Sequence, residues 1–438
     1  MAHVLSLLCG ADTVSLVASG CYLNNFSPKA GDANAESVTD TIAVTLKDTT
    51  PVNLRTKKRI IENYFGLARR RQQWRSGDKV YLQFQLSTDG VTYRSEVLDG
   101  RIDYVEDSIQ ETAINYLECV IYVTRRPYWE GAETALELNN SSGVFTVTGL
   151  TIYNHDDSTA GHDNYALITD SQVGGTLPMP LKIEIKNLGT RQIKNLHICL
   201  DTLTSSAQNL SPTLEGEDGV GNVSGSYSGG FAKSFTVNTT YTLTKTITSA
   251  MLGYIAGRSI KVLGKFTFSG TVYAKISLSV AGVTVIRSPE VKLNTQDYFQ
   301  DLGTLPMPPG FDSSSWADAS LVIDFRSTAS VSMTCDFLQL FFADAGCYRY
   351  MTSVASSLMS IDINDTILDD GIDDAAYINS ASGIVGRLPV IARRGNPIMI
   401  QPSSGFQKLR FLIDGSNTSV DWTFSVRIWY RPRTSLPV

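Results

Sequence analysis

Residues 50–76, TPVNLRTKKRIIENYFGLARRRQQWRS, predict one long helix in a chain whose other segments have the pattern of strands and turns. Thr50 is a residue type that caps helices, and Pro51 suits the first helical position, which needs no amide hydrogen. Apolar side chains then recur every three to four residues, as they do on one face of a helix. They are Leu54, Ile61, Tyr64, Phe65 and Ala68. We therefore expect this helix to bury one apolar face.

The same stretch concentrates the positive charge of the protein. It holds eight Lys and Arg residues and one Glu, a net charge of +7, whereas the whole chain carries −6, so the remainder carries −13. Three interpretations follow: a solvated helix that covers a sheet, a basic ridge that meets acid on another copy, or a phosphate-binding helix. The acidic remainder would repel nucleic acid, so we expect no sequence-specific nucleic-acid binding. The candidate oligomer-interface residues are Arg55, Lys58, Arg59, Arg69, Arg70 and Arg71.

Composition narrows the class of protein. The chain has 438 residues, of which 42% are hydrophobic, enough for two or three domains with real cores. Charged residues make up only 18%, which is below the usual quarter. No apolar run approaches 18 residues, so we expect no membrane span and no membrane partner. The N-terminal segment lacks a basic start and is interrupted by Asp12, which favours a first strand over a secretion signal.

The rest of the pattern predicts a mainly β protein. Residues 1–130 have the pattern of a sheet unit crossed by the one long helix. Residues 207–345 contain a full set of short strands after a Gly- and Ser-rich stretch, which predicts an inserted β-sandwich or jelly-roll domain. Residues 131–206 and 346–438 would then form one β-sandwich from two chain segments.

Individual strands of residues 1–130 can be assigned from alternation and turn residues. We predict strands at SLVASGCYL (15–23), at Ile42–Leu46 and at Asn115–Arg126. Asp89-Gly90 and Asp99-Gly100 are expected to be hairpin turns, because Asp-Gly pairs favour the backbone conformation of tight turns.

The six cysteines show no CxxC spacing, so they do not suggest a zinc site. Cys119, Cys199 and Cys335 lie inside apolar strand patterns and are expected to be buried. We predict six free thiols, as in a protein assembled in a reducing cytoplasm.

Two polar segments are candidate metal sites. His155, Asp157 and His162 lie close together in the sequence, but a polar turn explains them more simply. Residues 362–374 are acidic and only loosely resemble a calcium loop, because Ile367 stands where an EF-hand needs glycine. We expect neither a bound metal nor a cofactor.

Candidate glycan-contacting residues lie near turns of residues 207–345. Tyr227, Tyr298, Phe299 and Trp316 could stack on sugar rings, or they could pack in or around the core. The chain has no GxSxG, HExxH, P-loop or dinucleotide motif, so we expect no enzymatic activity.

Several segments resemble structural proteins of long-tailed bacteriophages. LRTKKRIIENYFGLARRR, YRSEVLDGRIDYV and LECVIYVTRRPYWEG resemble the N-terminal unit of tail tube and distal tail proteins. TIYNHDDSTAGHDNYALI, LPMPLKIEIKN and the closing VRIWYRPR resemble the sandwich that follows in such proteins, whereas KVLGKFTFSG, DLGTLPMPPG and DFLQLFF resemble galactose-binding-like jelly rolls. The chain departs from a simple tube subunit in being much larger.

The resemblance implies a virion tail protein, assembled in the host cytoplasm, that forms threefold or sixfold homo-oligomeric rings around the tail channel, in the tube or at its distal end. It also implies other tail proteins as partners and outward sandwich domains that contact host-surface carbohydrate. Two alternatives remain open at this point. One is an adhesin-type carbohydrate-binding protein without a role in the tube, and the other is an enzyme that degrades surface polysaccharide.

Overall fold

The structure is a computed structural model, and it confirms a mainly β protein. It describes residues 4–32, 35–85, 90–105, 115–140, 143–144, 149–153, 163–190, 192–203, 213–215, 223–224, 231–247, 251, 255–294, 299–309, 319–352, 361–383, 385–387, 393–402, 405–415 and 423–437. The chain divides into two compact units. No helix in the described residues is long and apolar enough to cross a membrane.

Unit 1 comprises residues 1–134, 174–179 and 431–438. Its first segment carries a long helix and eight strands. They are β1 (Val4–Cys9), β2 (Asp12–Ser15), β3 (Cys21–Phe26), β4 (Val38–Lys47), α1 (Pro51–Trp74), β5 (Val80–Gln85), β6 (Thr92–Tyr104), β7 (Tyr116–Arg125) and β8 (Trp129–Glu130). The strands form one antiparallel sheet in the order β2-β1-β5-β6-β7-β4-β3, and β8 pairs with β6.

The C-terminal end of the chain belongs to this same unit. The strand Arg433–Thr434 pairs with β8, and the Arg433 guanidinium donates two hydrogen bonds to Glu130 Oε1, at 3.0 and 2.8 Å. Residues more than 300 positions apart in sequence therefore complete one unit, which was not part of the prediction for residues 1–130.

The expected turn at Asp99-Gly100 is wrong. β6 runs through this pair as one strand, and its first half pairs with β5 while its second half pairs with β7. A register shift between Val97 and Asp99 marks the change of partner. Gly100 is needed for a different reason: a Cβ there would lie 2.4 Å from the ring of Phe65. The Asp-Gly pair thus marks a close approach of helix and sheet, not a hairpin.

The single strand expected at SLVASGCYL is also wrong. β2 ends at Ser15 and β3 begins at Cys21, with a turn between them. Ser19 and Gly20 both have positive φ, and a Cβ on Gly20 would lie 2.4 Å from the carbonyl oxygen of Lys47. The expected first strand is confirmed by β1, and the strand expected at Asn115–Arg126 is confirmed by β7.

Unit 2 comprises residues 135–173 and 180–430, and the larger sheets among its described residues form two pairs. One sheet of the first pair has the order Gly143–Val144, Asn139–Asn140, Tyr165–Thr169, Phe406–Gly415, Ile193–Leu203, Tyr348–Thr352, Arg393–Arg394. The other has the order Leu150–Tyr153, Thr423–Tyr430, Lys182–Asn187, Thr366–Asp370, Ala375–Asn379, Val385–Arg387. Phe411 and Phe424 meet edge to face across the two sheets, with ring centroids 5.6 Å apart. A short 3-10 helix spans Asp170–Gln172.

The second pair is built from strands between residues 213 and 342. One sheet has the order Val223–Ser224, Phe231–Val237, Val331–Phe342, Ser259–Phe268, Phe299–Pro306, with Thr213–Glu215 beside Val331–Phe342. The other has the order Thr240–Thr246, Ala319–Ser327, Val272–Val280, Val283–Arg287, with Val291–Lys292 beside Val272–Val280. Phe325 packs between Phe235 and Phe266 of the facing sheet, and its ring centroid lies 5.4 Å from the centroid of each of these rings.

The division of the chain at residues 131, 207 and 346 stays a prediction. The two sheet pairs of unit 2 share apolar contacts. Cys199 and Leu412 of the first pair are buried in the same core cluster as the second pair.

All six cysteines are free thiols in the structure, as the sequence predicted. Cys119, Cys199 and Cys335 are buried, and so is Cys21. Burial raises the pKa of both Cys21 and Cys119 to about 12, because a thiolate is poorly solvated in an apolar core.

We therefore expect thiol reagents at neutral pH to leave these four cysteines unmodified in the native protein. After denaturation without reductant, all six should react, as counted by mass spectrometry. A count below six would contradict the absence of disulfides.

Candidate oligomer interface

Helix α1 begins as the sequence predicted. Thr50 has an extended backbone, and its hydroxyl accepts a hydrogen bond from the amide of Asn53 at 3.3 Å. Pro51 follows at the first turn, where its missing amide hydrogen costs nothing. The cap and the proline fix the residue at which the helix starts, and therefore which side chains face the sheet.

The buried face of α1 confirms the predicted stripe, because its buried residues are Leu54, Ile61, Tyr64, Phe65 and Ala68. These side chains join the apolar residues of the sheet in one core. Phe65 is fully buried and lies over Gly100 of β6. The rotation of the helix on its sheet is set by this contact.

The helix ends at Trp74, and Arg75 takes the left-handed conformation with φ of 49°. The Arg75 amide donates to the carbonyl of Arg71 at 2.8 Å. The Arg71 guanidinium in turn donates to the carbonyls of Arg75 and Gly77, at 3.0 and 3.1 Å. Arg71 therefore stabilises the C-terminal end of its own helix, where a cation is favourable.

Two lysines near the N-terminal end of α1 are held within unit 1. Lys57 donates to Asp48 at 2.8 Å and to the carbonyl of Lys47 at 2.8 Å. Hydrogen bonds from Lys57, Asn53 and Thr49 lower the pKa of the Asp48 carboxyl below its ordinary value. Lys58 pairs with Glu62 at 2.9 Å and lies over the ring of Tyr104, 4.5 Å from its centroid.

Arg69 also contacts its own sheet. Its guanidinium donates to Asp99 at 2.9 Å and to the carbonyl of Gly100 at 3.3 Å. Three of the six predicted interface residues, Lys58, Arg69 and Arg71, are thus engaged inside unit 1.

The other three predicted residues are exposed, and no hydrogen bond or ion pair joins them to any described residue. They are Arg55, Arg59 and Arg70. At 100° per residue, Arg59 and Arg70 point directly away from the buried stripe. We call this side of α1 the outward face, defined by Val52, Arg55, Arg59, Gly66, Arg70 and Trp74.

The outward face carries large apolar side chains that sequence reasoning did not single out. Val52 and Trp74, at its two ends, are each 67% exposed. Their spacing was a usable signal, since positions 52, 59, 70 and 74 fall on one side of a helix opposite the buried stripe. An exposed Trp beside unpaired Arg is the composition of a protein–protein contact.

The other candidate sites are only partly covered by the structure. The metal candidates His155, Asp157 and His162 and the glycan candidates Tyr227, Tyr298 and Trp316 lie outside the described residues. Phe299 is described and is buried against His197, so it is a core residue and does not contact a glycan. No cluster of three or more His, Cys, Asp or Glu that could hold a metal occurs within the described ranges.

The acidic stretch 362–374 uses its carboxylates within the protein. Asp369 accepts from Arg349 at 3.1 Å, and Asp374 lies within 3.4 Å of both Arg349 and Arg393. Asp370 accepts from the amides of two residues that follow it, Ile372 and Asp373. These contacts explain the acidic residues as parts of a turn held by arginines.

Comparisons with known proteins add a distant likeness to solved structures. No family model and no curated protein matches the chain. Among solved structures, the chain is similar to a chain of the phage P2 baseplate in its activated conformation with Ca, at 8% identity, with 76% of this chain and 98% of that chain covered and a TM-score of 0.23. That score is too low to establish a common fold.

Proposed function

We propose that this protein is a structural component of a bacteriophage tail, which assembles through unit 1 into homo-oligomeric rings around the tail channel. The observation that carries the proposal is the outward face of α1, where three arginines without a partner among the described residues lie between two exposed apolar side chains. The segments that resemble tail tube and distal tail proteins support the same function.

The energetics of the outward face favour a protein partner. Full burial of Val52 or Trp74 would contribute roughly 1.5–3 kcal/mol each, because apolar surface leaves water. An exposed ion pair contributes only about 0–1 kcal/mol, so the arginines would serve mainly to select an acidic partner. A ring repeats the contact at every interface, so modest terms add up around the assembly.

Under this proposal the ring has threefold or sixfold symmetry and lies in the tube or at the distal end of the tail. The protein then acts without catalysis or cofactor, in contact with other tail proteins. The sandwich sheets of unit 2 face outward and meet host-surface carbohydrate. Assembly takes place in the host cytoplasm, and the mature location is the virion tail.

The proposal is tested by measuring the mass of the purified protein over a range of concentrations and by imaging the particles with negative-stain electron microscopy. Rings of three or six copies are expected. A strict monomer at high concentration that binds sugars on a glycan array would instead favour the adhesin-type alternative.

Neutralising the outward arginines should weaken the ring. We expect the triple variant Arg55→Gln, Arg59→Gln, Arg70→Gln to keep the melting temperature of the monomer, since none of the three side chains has a partner among the described residues. Its rings should dissociate at protein concentrations at least tenfold higher than those of the wild type, most visibly at low salt, where charges are least screened.

The matched control removes three exposed cations of unit 2, with Lys186→Gln, Arg287→Gln and Lys292→Gln. This variant has the same net charge and should assemble like the wild type. Equal assembly of the two triple variants would show that the outward face is only solvated.

A further inference from the structure

Gly66 is an unexpected residue in the middle of α1. It lies on the outward face, between Arg59 and Arg70, with ordinary helical backbone geometry. Glycine in a helix interior destabilises the folded chain relative to alanine, because it loses more backbone entropy. A glycine at this position therefore needs a reason.

Unit 1 itself supplies no such reason. Apart from its two chain neighbours and the backbone of its own helix, a Cβ added to Gly66 would meet no described atom within 4 Å. Gly100 shows the opposite case, since a Cβ there would lie 2.4 Å from the Phe65 ring. The fold requires glycine at position 100, whereas at position 66 alanine would fit and would make a better helix.

We infer that Gly66 is the point at which a second copy of this chain approaches the outward face most closely, and this inference rests on the proposed ring assembly. A missing Cβ allows the backbone or a bulky side chain of a neighbour to contact the helix axis directly. Any side chain at position 66 would hold that neighbour away and reduce the contact of Val52 and Trp74 with it.

Charge favours a second copy as the occupant. Arg59 and Arg70 lie about 10 Å and 6 Å from Gly66 along the axis, at 1.5 Å per residue. A partner that contacts Gly66 thus meets one unpaired cation on each side and needs carboxylates there. Outside the helix stretch the chain carries a net charge of −13, and unit 1 exposes Asp12, Glu36 and Asp78. Another copy can therefore supply the acidic surface.

The test uses two substitutions of the full-length protein, Gly66→Ala and Gly66→Leu. Both should fold, and Gly66→Ala should raise the melting temperature of the monomer by roughly 2–4 °C, because alanine favours the helix. Both should weaken ring formation, Gly66→Ala by at least threefold and Gly66→Leu by at least tenfold in the concentration at half assembly. Greater stability together with weaker assembly is a result that a purely structural glycine would not give.

Gly386→Ala is the matched control. It adds the same methyl group to another glycine at which a Cβ would meet nothing within 4 Å, in the strand Val385–Arg387 of unit 2. This variant should assemble like the wild type.

The outcomes separate the inference from the proposed function. If the wild type forms rings and both Gly66 variants assemble equally well, the inference is overturned while the ring proposal stands. A fall in monomer melting temperature for Gly66→Ala would also overturn it, because the glycine would then serve the fold. A wild type that never assembles overturns the proposed function itself.

Discussion

Phe65→Ala should lower the free energy of unfolding by about 3–5 kcal/mol, the usual cost of removing a buried aromatic ring and leaving a cavity. The Phe65 side chain is fully buried between α1 and β6, so no solvent can fill the space cheaply. The measurement is chemical denaturation followed by tryptophan fluorescence. Ile60→Ala on the same helix is the control, and it should cost far less because Ile60 is 39% exposed.

The contact between Phe65 and Gly100 makes a sharper test in a double-mutant cycle. Gly100→Ala alone should cost roughly 1–3 kcal/mol, since its Cβ would overlap the Phe65 ring and the core would have to shift. In the double variant the ring is gone and the new methyl group occupies part of the cavity. The two costs should therefore sum to more than the cost of the double variant, by at least about 1 kcal/mol. If the two losses of stability simply add up, Phe65 and Gly100 are not in contact.

Asp40→Asn should be comparably destabilising, at about 3–5 kcal/mol, because it leaves the Arg125 guanidinium charged in the core. Both side chains are fully buried, with Arg125 Nε and Asp40 Oδ2 2.5 Å apart. Burial lowers the pKa of Arg125 from its ordinary value, and the hydrogen bond and charge of Asp40 oppose that shift. The guanidinium also lies over the Trp129 ring, 4.3 Å from its centroid.

The same pair connects a loop to the sheet. Arg125 donates to the carbonyl of Lys29 at 2.9 Å, and Asp40 accepts from the Lys29 amide at 2.9 Å. Loss of either side chain would thus remove a hydrogen bond that ties the backbone of Lys29 to the sheet, which adds to the cost.

A matched surface pair gives the control for this prediction. Asp99→Asn breaks the ion pair with Arg69, but both side chains are 55% exposed, so the expected cost is only about 0–1 kcal/mol. Chemical denaturation of the two variants under identical conditions decides the comparison. If Asp40→Asn and Asp99→Asn lower the free energy of unfolding equally, Asp40 and Arg125 do not form a buried ion pair.

Local patterns determined much of this fold. The helix start at Thr50, its buried stripe and many strand bounds follow from capping, from three- and four-residue periodicity and from alternation along strands. Strand β7 (Tyr116–Arg125) matches the predicted range Asn115–Arg126 to within one residue at each end, because apolar and polar residues alternate along it. In such segments the backbone preference and the burial preference agree. The residues of the segment and their nearest neighbours are therefore enough to predict where it begins and ends.

Other features could not be settled by neighbouring residues. An Asp-Gly pair permits a tight turn, but it equally permits a close approach, and the packing of Phe65 selected the second at Gly100. Likewise, the charge of α1 predicted a basic ridge without telling which cations were free. Asp48 and Asp99, which lie in other segments, engage Lys57 and Arg69.

The sequence by itself therefore determined the mainly β class, the position and buried face of α1 and its surplus of positive charge. Only the tertiary structure decided that Arg55, Arg59 and Arg70 have no partner among the described residues, that Val52 and Trp74 flank them, and that a Cβ on Gly66 would be uncrowded. The physical reason is that periodicity fixes the side of a helix on which each residue lies. The partners of a side chain depend instead on distant strands, which folding brings to the helix.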